Sequence, residues 1–524
     1  MSGRQAGVNV PLFSIRSSAS WGIGELCDVA PFSDWMASAG FSRLLVLPLG
    51  TLARRETSPY APASTMAIDP HYIALSRVRD FERAGGIGAL SPEARTALET
   101  ARRAPFVRYD AVRRAKGEAL DRAFEAFVSE EWTRATPHAE SLAAYVERER
   151  WWLDDYALFQ ALTSAMAGAY WLDWPPPLRD RDPGALDAAR RQWSTELLRH
   201  QYWQWLAETQ WQDARAHAAT RGVAIAGDLP FTAGADSVDV WAHADEFALD
   251  ISVGVPPDAF SPEGQDWGLP AYRWDVIERS GYAWMRQRAR RMAALFDAMR
   301  VDHVVGLYRT YGLPPAGPPF FSPADEAAQR RQGEAVLTML GEAGAELIAE
   351  DLGTVPDFVR ASLAALGVPG CRVMRWERRW REPGQPYEDP RAYPVASAAM
   401  TGTHDTEPLS AWWETCGAET RRALLALPQF GERALTSPDM PWTEPLRDAY
   451  LALAYGSAST DLYLPLQDLF GWRERVNTPG TVTPENWTWC VPWPVDTWDG
   501  EPQARERAGF LEALARAAGR HVAG

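Results

Sequence analysis

Short apolar runs that end in a polar or acidic residue, separated by stretches of helical composition, limit this chain more than any other feature. The runs are 43–49, 223–228, 299–305, 346–350, 371–376, 395–401 and 462–466, and residues 282–298 and 332–343 are among the helix-like stretches between them. Apolar runs of roughly 4–8 residues alternating with amphipathic helices read as parallel strands covered by helices. An open doubly wound sheet and a closed barrel both satisfy that alternation. No Gly-rich phosphate fingerprint follows the first run, which weighs against an open dinucleotide-binding sheet. Carboxylates recur at the C-terminal ends of the runs, where barrel enzymes keep their reactive groups. The expected fold is α/β, a (β/α)8 TIM barrel.

The gap between the first run and residue 223 is too long for one crossover. Residues 112–131, 142–168 and 190–221 within it are rich in Ala, Arg, Glu and Leu, residues that favour helix. We expect one catalytic barrel domain over residues 1–524, with a mainly helical insertion at 60–215. A second excursion, residues 231–280, is rich in Gly, Pro, Asp and aromatics. It reads as a loop subdomain over the barrel mouth.

Charge and cysteine usage remove several function classes. The formal net charge is −16, whereas nucleic acid and anionic membrane surfaces call for basic patches, so neither is an expected partner. No apolar run approaches the roughly 18 residues of a membrane helix. The N-terminal residues lack a cationic start, an apolar stretch and a cleavage site, so no secretory signal is read. Cys27, Cys371, Cys416 and Cys490 lie far apart, in neither a zinc-ribbon nor a disulfide spacing. Free thiols and a cytoplasmic location are expected. The chain carries 25 tryptophans and one lysine, Lys116. Indole faces can stack on pyranose rings, but most of these tryptophans are expected to fill the core.

Three acidic motifs stand at the ends of runs. In Met299-Arg300-Val301-Asp302-His303, side chains two apart on a strand share a face, so Arg300 can hold Asp302 ionised. In Ala349-Glu350-Asp351-Leu352-Gly353, a glutamate precedes a glycine turn; facing a second carboxylate, its pKa should rise, as a general acid requires. In Gly402-Thr403-His404-Asp405, a further aspartate could stabilise positive charge without bonding to it. A carboxylate pair of this kind serves glycosidic bond cleavage, in which an acid protonates the leaving oxygen and a second group supports the oxocarbenium-like carbon. Each motif alone also reads as a salt bridge, a helix-start charge or an ordinary loop. His404-Asp405 lacks any companion at liganding spacing. Asp180-Arg181-Asp182-Pro183-Gly184 has its glycine misplaced for a calcium loop. No metal is expected.

Taken together, the motifs resemble the amylomaltase family, the 4-α-glucanotransferases or disproportionating enzymes. Trp21-Gly22-Ile23-Gly24, Leu47-Pro48-Leu49-Gly50 and Ser58-Pro59-Tyr60 are similar to the family's opening motifs. Gly227-Asp228-Leu229-Pro230 follows, with Asp236-Ser237 and Asp239-Val240-Trp241. Val255-Pro256-Pro257-Asp258, with Phe260-Ser261, Gly264-Gln265 and Trp267-Gly268, is similar to the loop over the family's acceptor site. The three acidic motifs come next, in the family's order. Pro465-Leu466-Gln467-Asp468, Asn477-Thr478-Pro479-Gly480-Thr481 and Asn486-Trp487 resemble its C-terminal end. The resemblance runs from about Gly7 to about Trp493.

Carried over residue by residue, the resemblance implies Asp302 as nucleophile, Glu350 as acid/base and Asp405 as transition-state stabiliser. Tyr60, Asp228, Trp267, Arg300, His303 and His404 would bind substrate. It implies double displacement between α-1,4-glucans and acceptor sugars, with retained configuration and with no cofactor or metal. Some positions depart from the family pattern. Val304 and Val305 follow His303 where many members have an aromatic residue and an arginine, and Arg309 is the candidate substitute cation. Thr406-Glu407 follows Asp405, Ala61 stands where glutamine is common, and Ala259 replaces a frequent aromatic. These touch the expected substrate surroundings and leave the three carboxylates intact. Hydrolysis by the same site, and a carbohydrate-binding protein with a disabled site, stay open as alternatives at this stage.

Overall fold

In the computed structural model, which describes residues 3–53, 56–257 and 263–521, eight parallel strands close into a barrel. In chain order they are β1 (Gln5–Asn9), β2 (Arg43–Leu45), β3 (Ala224–Leu229), β4 (Ala298–Val301), β5 (Glu346–Ala349), β6 (Gly370–Val373), β7 (Ser397–Met400) and β8 (Asp461–Pro465). Each pairs with its neighbours in sequence, and β8 returns to β1, with Gln5 opposite Asp461 and Asn9 opposite Pro465. Seven of these strands fall on the apolar runs. β1 does not stand out as a run, because Gln5, Gly7 and Asn9 alternate with Ala6 and Val8.

That alternation is the barrel's inside–outside pattern. Leu45, Ala226, Ala298, Ile348, Cys371, Val373, Ala398, Met400 and Tyr463 form one inner cluster. The residues between them in sequence, such as Ile225, Met299, Ala349 and Leu462, join the larger core under the helices. Gly7 is an inward position where size matters. A Cβ there would lie 2.7 Å from the Arg43 Cβ and 2.9 Å from the Tyr463 ring. Below the inner cluster, the Arg43 guanidinium pairs with Glu346 at 2.5 Å. The upper ends of β3, β4 and β5 carry the next inward residues, Asp228, Arg300 and, just past the strands, Asp302 and Glu350. The same two-residue period that packs the core therefore lifts the charged groups to the mouth.

The helices obey the expected alternation with one exception. Val29–Ser38 links β1 to β2, Ala283–Leu295 precedes β4, Glu326–Gly341 precedes β5 and Asp357–Leu366 precedes β6. Between β6 and β7 there is no α-helix, only turns, an isolated bridge between Arg378 and Tyr387 and the 3-10 turn Pro390–Ala392. Before β3 the chain forms Pro92–Arg103, Tyr109–Glu130, Pro137–Ala165, Pro183–Gln192 and Ser194–Thr220. The last of these returns to the barrel, where the Trp211 indole N–H donates to the Leu295 carbonyl at 2.8 Å. Asp182, in the segment compared with a calcium loop, caps Pro183–Gln192 by accepting from the Ala185 N–H at 2.8 Å.

A buried ion pair ties the helical region to the opening loop. The Lys116 ammonium lies 2.6 Å from Glu25, both side chains being within 1% of complete burial. It also donates to the carbonyls of His71 and Ile73, so all three of its protons have acceptors. Burial still pushes the Glu25 carboxyl up to about 7, against the pull of Lys116.

The segment at 231–280 holds more regular structure than its composition suggests. Phe247–Val255 and Gln265–Tyr272 are antiparallel strands. They join Thr310–Leu313 and Phe320–Ser322, from the connection after β4, in a four-stranded sheet. Register shifts inside the first pair break the two-residue period that would have marked it in the sequence. Asp258, Ala259, Phe260 and Ser261 of the motif expected over the acceptor site lie outside the described residues.

Candidate active site

Arg300 is the centre of the charged cluster. Asp228 on β3 is its register partner on β4, so the two side chains meet on the inner face. The Arg300 Nη1 lies 2.8 and 2.6 Å from the two Asp228 carboxylate oxygens and 3.1 Å from Asp302 Oδ1. The Arg300 and Asp228 side chains are 7% and 1% exposed, whereas Asp302 is 23% exposed and faces the mouth. Burial opposes the charge on Arg300, but Asp228, Tyr60, Asp302 and Glu350 outweigh it and hold the guanidinium protonated. Burial raises the Asp228 pKa, and Arg300 opposes the rise.

Glu350 follows β5 directly, next to the end of β4. Its backbone N–H donates to the Val301 carbonyl at 3.0 Å, and its carbonyl accepts from the Val304 N–H at 3.1 Å. Its side chain accepts from the His303 N–H at 2.7 Å. This bond requires a left-handed turn at His303, φ 45° and ψ 54°, a conformation costing a non-glycine residue about 1–2 kcal/mol. Burial, together with the Asp302 charge, pushes the Glu350 carboxyl up to about 8, although Arg300 and the His303 N–H pull the other way. A carboxyl in that range holds its proton at neutral pH and can donate it. Asp351 points elsewhere: Arg372 lies 3.1 Å and Arg360 3.4 Å from it.

Asp405 is held from the C-terminal side. The Asn477 amide donates to its Oδ1 at 2.6 Å, and Arg475 donates to its carbonyl at 2.7 Å. The His404 Nε2 lies 3.4 Å from its other oxygen. Burial alone would raise this carboxyl, but His404, Asn477 and Arg300 hold it down at about 2. Glu407, at a position that departs from the family pattern, links Arg475 at 3.3 Å with the buried Arg375 at 3.8 Å. Thr406 turns back to accept from the Thr403 N–H at 3.0 Å. Both departures thus brace the loop that carries Asp405.

Two aromatic groups flank the cluster. Tyr60 donates to Asp228 at 2.7 Å, and its ring stacks on His404 with centroids 5.1 Å apart and planes 22° from parallel. Trp487 packs against both rings. On the other flank, the Trp267 ring meets His303 edge-on at 4.8 Å, and Phe231 meets it at 5.5 Å. Burial lowers His303 to about 4, with Asp302 opposing and Arg309 reinforcing the shift. This imidazole is neutral at pH 7. Val304 and Val305 are buried in the short helix Val304–Tyr308, and the Arg309 guanidinium lies over the Phe321 ring at 4.3 Å.

All nine site residues named from the sequence stand around the barrel mouth. Asn477, Arg475, Trp487 and Phe231 also belong to the cluster and were not singled out there. Asn477 and Trp487 lie in motifs visible in the sequence, but their contact with Asp405 and Tyr60 depends on a loop that returns across the barrel. No group of three or more His, Cys, Asp or Glu side chains among the described residues has metal-binding geometry.

A (β/α)8 barrel with an arginine-centred acidic cluster at the C-terminal ends of its strands defines the class: a barrel enzyme of carbohydrate chemistry. A family model described as 4-alpha-glucanotransferase matches residues 10–495, and the chain belongs to that family, whose members transfer α-1,4-glucan segments. The chain is 31% identical over 500 residues to the 4-alpha-glucanotransferase of Chlamydia pneumoniae, covering 93% of this chain and 91% of that one. It is 33% identical over 487 residues to that of Thermus thermophilus, covering 90% and 91%. Its fold is similar to amylomaltase from Streptococcus agalactiae in complex with acarbose, with a TM-score of 0.81, 24% identity, and coverage of 99% and 100%. No helix among the described residues is long and apolar enough to cross a membrane.

Proposed function

We propose that the chain transfers α-1,4-glucan segments by a retaining double displacement, with Asp302 as nucleophile, Glu350 as acid/base and Asp405 as stabiliser of the oxocarbenium-like transition state. The opposed ionisation of two carboxyls that both sense Arg300 at the barrel mouth carries this reading: Glu350 is raised to about 8 and Asp405 held at about 2. Such a separation supports Glu350 as proton donor and Asp405 as permanent anion.

In the first step Glu350 protonates the glycosidic oxygen as Asp302 bonds to the anomeric carbon, and the leaving glucan departs with the proton. In the second, ionised Glu350 removes the proton from the 4-hydroxyl of an acceptor sugar. That oxygen bonds to the anomeric carbon and the bond to Asp302 breaks. Arg300 orients Asp302 and, beneath it, opposes the rise that burial imposes on Asp228. Asp228, Tyr60 and His404 receive donor-sugar hydroxyls on one flank, with Trp267 and His303 on the other. No cofactor enters the scheme. The free cysteines suit a cytoplasmic setting, where thiols stay reduced.

Incubation with maltotriose tests the reaction. Glucose plus longer oligomers at constant total reducing ends is expected, whereas rising reducing ends would identify a hydrolase. Asp302→Asn should lower turnover by about 10³-fold or more with an unchanged far-UV spectrum. Unchanged turnover would remove Asp302 as nucleophile.

A further inference from the structure

The four-stranded sheet beside the mouth has a second face. A groove of about 640 Å³ runs along it, between the sheet, the short helix Trp274–Arg279 and the barrel helix Glu326–Gly341. None of the groups assigned to the reaction lines it. Its volume falls within the roughly 300–1,000 Å³ of small-molecule sites.

We propose that this groove is an auxiliary binding site for the α-glucan chain, engaging polymer that extends beyond the reacting sugars. The proposal rests on the glucanotransferase reading and goes beyond it.

One aromatic ring is set for stacking. Phe320 lies across the sheet at Gly312, where a Cβ would come within 2.9 Å of the ring. The absence of a side chain at 312 lets the ring settle on the sheet and remain 41% exposed. Leu249, 40% exposed, extends the apolar floor. An exposed ring on a rigid floor suits the apolar face of a pyranose, and acceptor-rich walls suit its hydroxyls.

The polar lining provides those acceptors. Asp250 and Glu278 are exposed, and among the described residues neither carboxylate has a side-chain hydrogen bond or ion pair. Asp275 pairs with Arg279 at 3.0 Å. The Gln332 amide nitrogen is engaged by the Leu307 carbonyl at 2.9 Å, which leaves its oxygen directed to other donors. The Trp274 indole N–H donates to the Thr310 hydroxyl at 2.8 Å, and that hydroxyl donates to the Gly306 carbonyl at 3.0 Å, which closes the floor. With Asp250, Asp275 and Glu278 against Arg273, the lining is negative and disfavours anionic ligands. A neutral polyol matches both its charge and its mixture of surfaces.

Continuity with the mouth selects the polymer. One strand, Gln265–Tyr272, carries Trp267 beside His303 and ends at Tyr272 in the groove. Five residues of strand span about 17 Å. A long glucan held in the groove would raise its own effective concentration at the mouth, and a trisaccharide held at the mouth would not reach the groove.

The test is chain-length dependence in Phe320→Ala and, separately, Glu278→Gln. Each is expected to raise KM for long amylose by about 5–10-fold, with kcat and maltotriose disproportionation unchanged. Retardation of the wild-type protein in amylose-containing gels should be weakened in both. Unchanged amylose KM and retardation in both variants would overturn the proposal. So would a parallel loss on both substrates in the surface variant Glu278→Gln, whatever happens to the folding of Phe320→Ala. Failure of the wild-type protein to disproportionate maltotriose would instead overturn the functional reading.

Discussion

Replacing Glu350 by glutamine should make the protein more stable as well as inactive, by an amount that depends on pH. The wild-type carboxyl titrates near 8 in the fold against an ordinary value of 4.5. Between those two values the folded state binds the extra proton, so stability falls as pH rises through that window. Integrating the difference gives a penalty of about 1 kcal/mol at pH 5 and about 4 kcal/mol at pH 8. Glutamine keeps an oxygen for the His303 N–H and has no charge to bury. The stability gained by Glu350→Gln should therefore increase by about 3 kcal/mol from pH 5 to pH 8. Melting entropy of about 2.1 cal/mol/K per residue gives about 1.1 kcal/mol/K for a chain of this length, so the Tm gap should widen by about 3 °C. Paired melting curves at the two pH values measure it. A gap that stays constant, whatever its size, would refute the assignment of a proton to Glu350 at neutral pH.

Asp405→Asn should act in the opposite sense. The folded pKa of about 2 makes Asp405 stabilising above its ordinary 3.8, an advantage lost as pH falls towards 2. With 40% of this side chain accessible, screening reduces the effect to about 1 kcal/mol, and urea midpoints from pH 7 down to pH 3 should converge. Asn477→Ala removes the 2.6 Å bond to Asp405. A hydrogen bond to a charged group is worth about 1.5–3 kcal/mol, so kcat on maltotriose should fall by about 10–100-fold; an unchanged kcat would show that Asn477 does not position Asp405. Gly333→Ala should destabilise by about 1–3 kcal/mol, although alanine normally stabilises a helix relative to glycine. A Cβ there would lie 2.2 Å from the Tyr308 ring, and a raised Tm would contradict that packing.

The barrel was legible because an enclosed parallel strand is built mainly from apolar residues, and seven of the eight strands fall on short, mainly apolar runs. β1 escaped because its inner face carries Gln5, Gly7 and Asn9, chosen for the space beside Arg43 and Tyr463. The sheet holding Phe320 escaped for a different reason: its strands come from two separate connections and pair with shifted register. The acidic centre was legible as an ordered set of motifs, and its electrostatics were not. That Glu350 is raised and Asp405 lowered follows from burial and from partners such as Asn477, 72 residues from Asp405 in sequence. Val304 and Val305 departed from the family pattern, yet they lie in the core, and Thr406 and Glu407 brace a loop.

The burial of Lys116 has a chemical consequence at the surface. Reducing sugars condense with free amines, and a protein that handles glucans meets reducing ends at every turnover. The single lysine ammonium lies inside the fold, its protons shared by Glu25 and two carbonyls. Every other basic side chain on the exterior is a guanidinium or an imidazole. The folded enzyme therefore presents its substrates with no lysine amine to be glycated, and amine-directed acylation of that side chain would report unfolding.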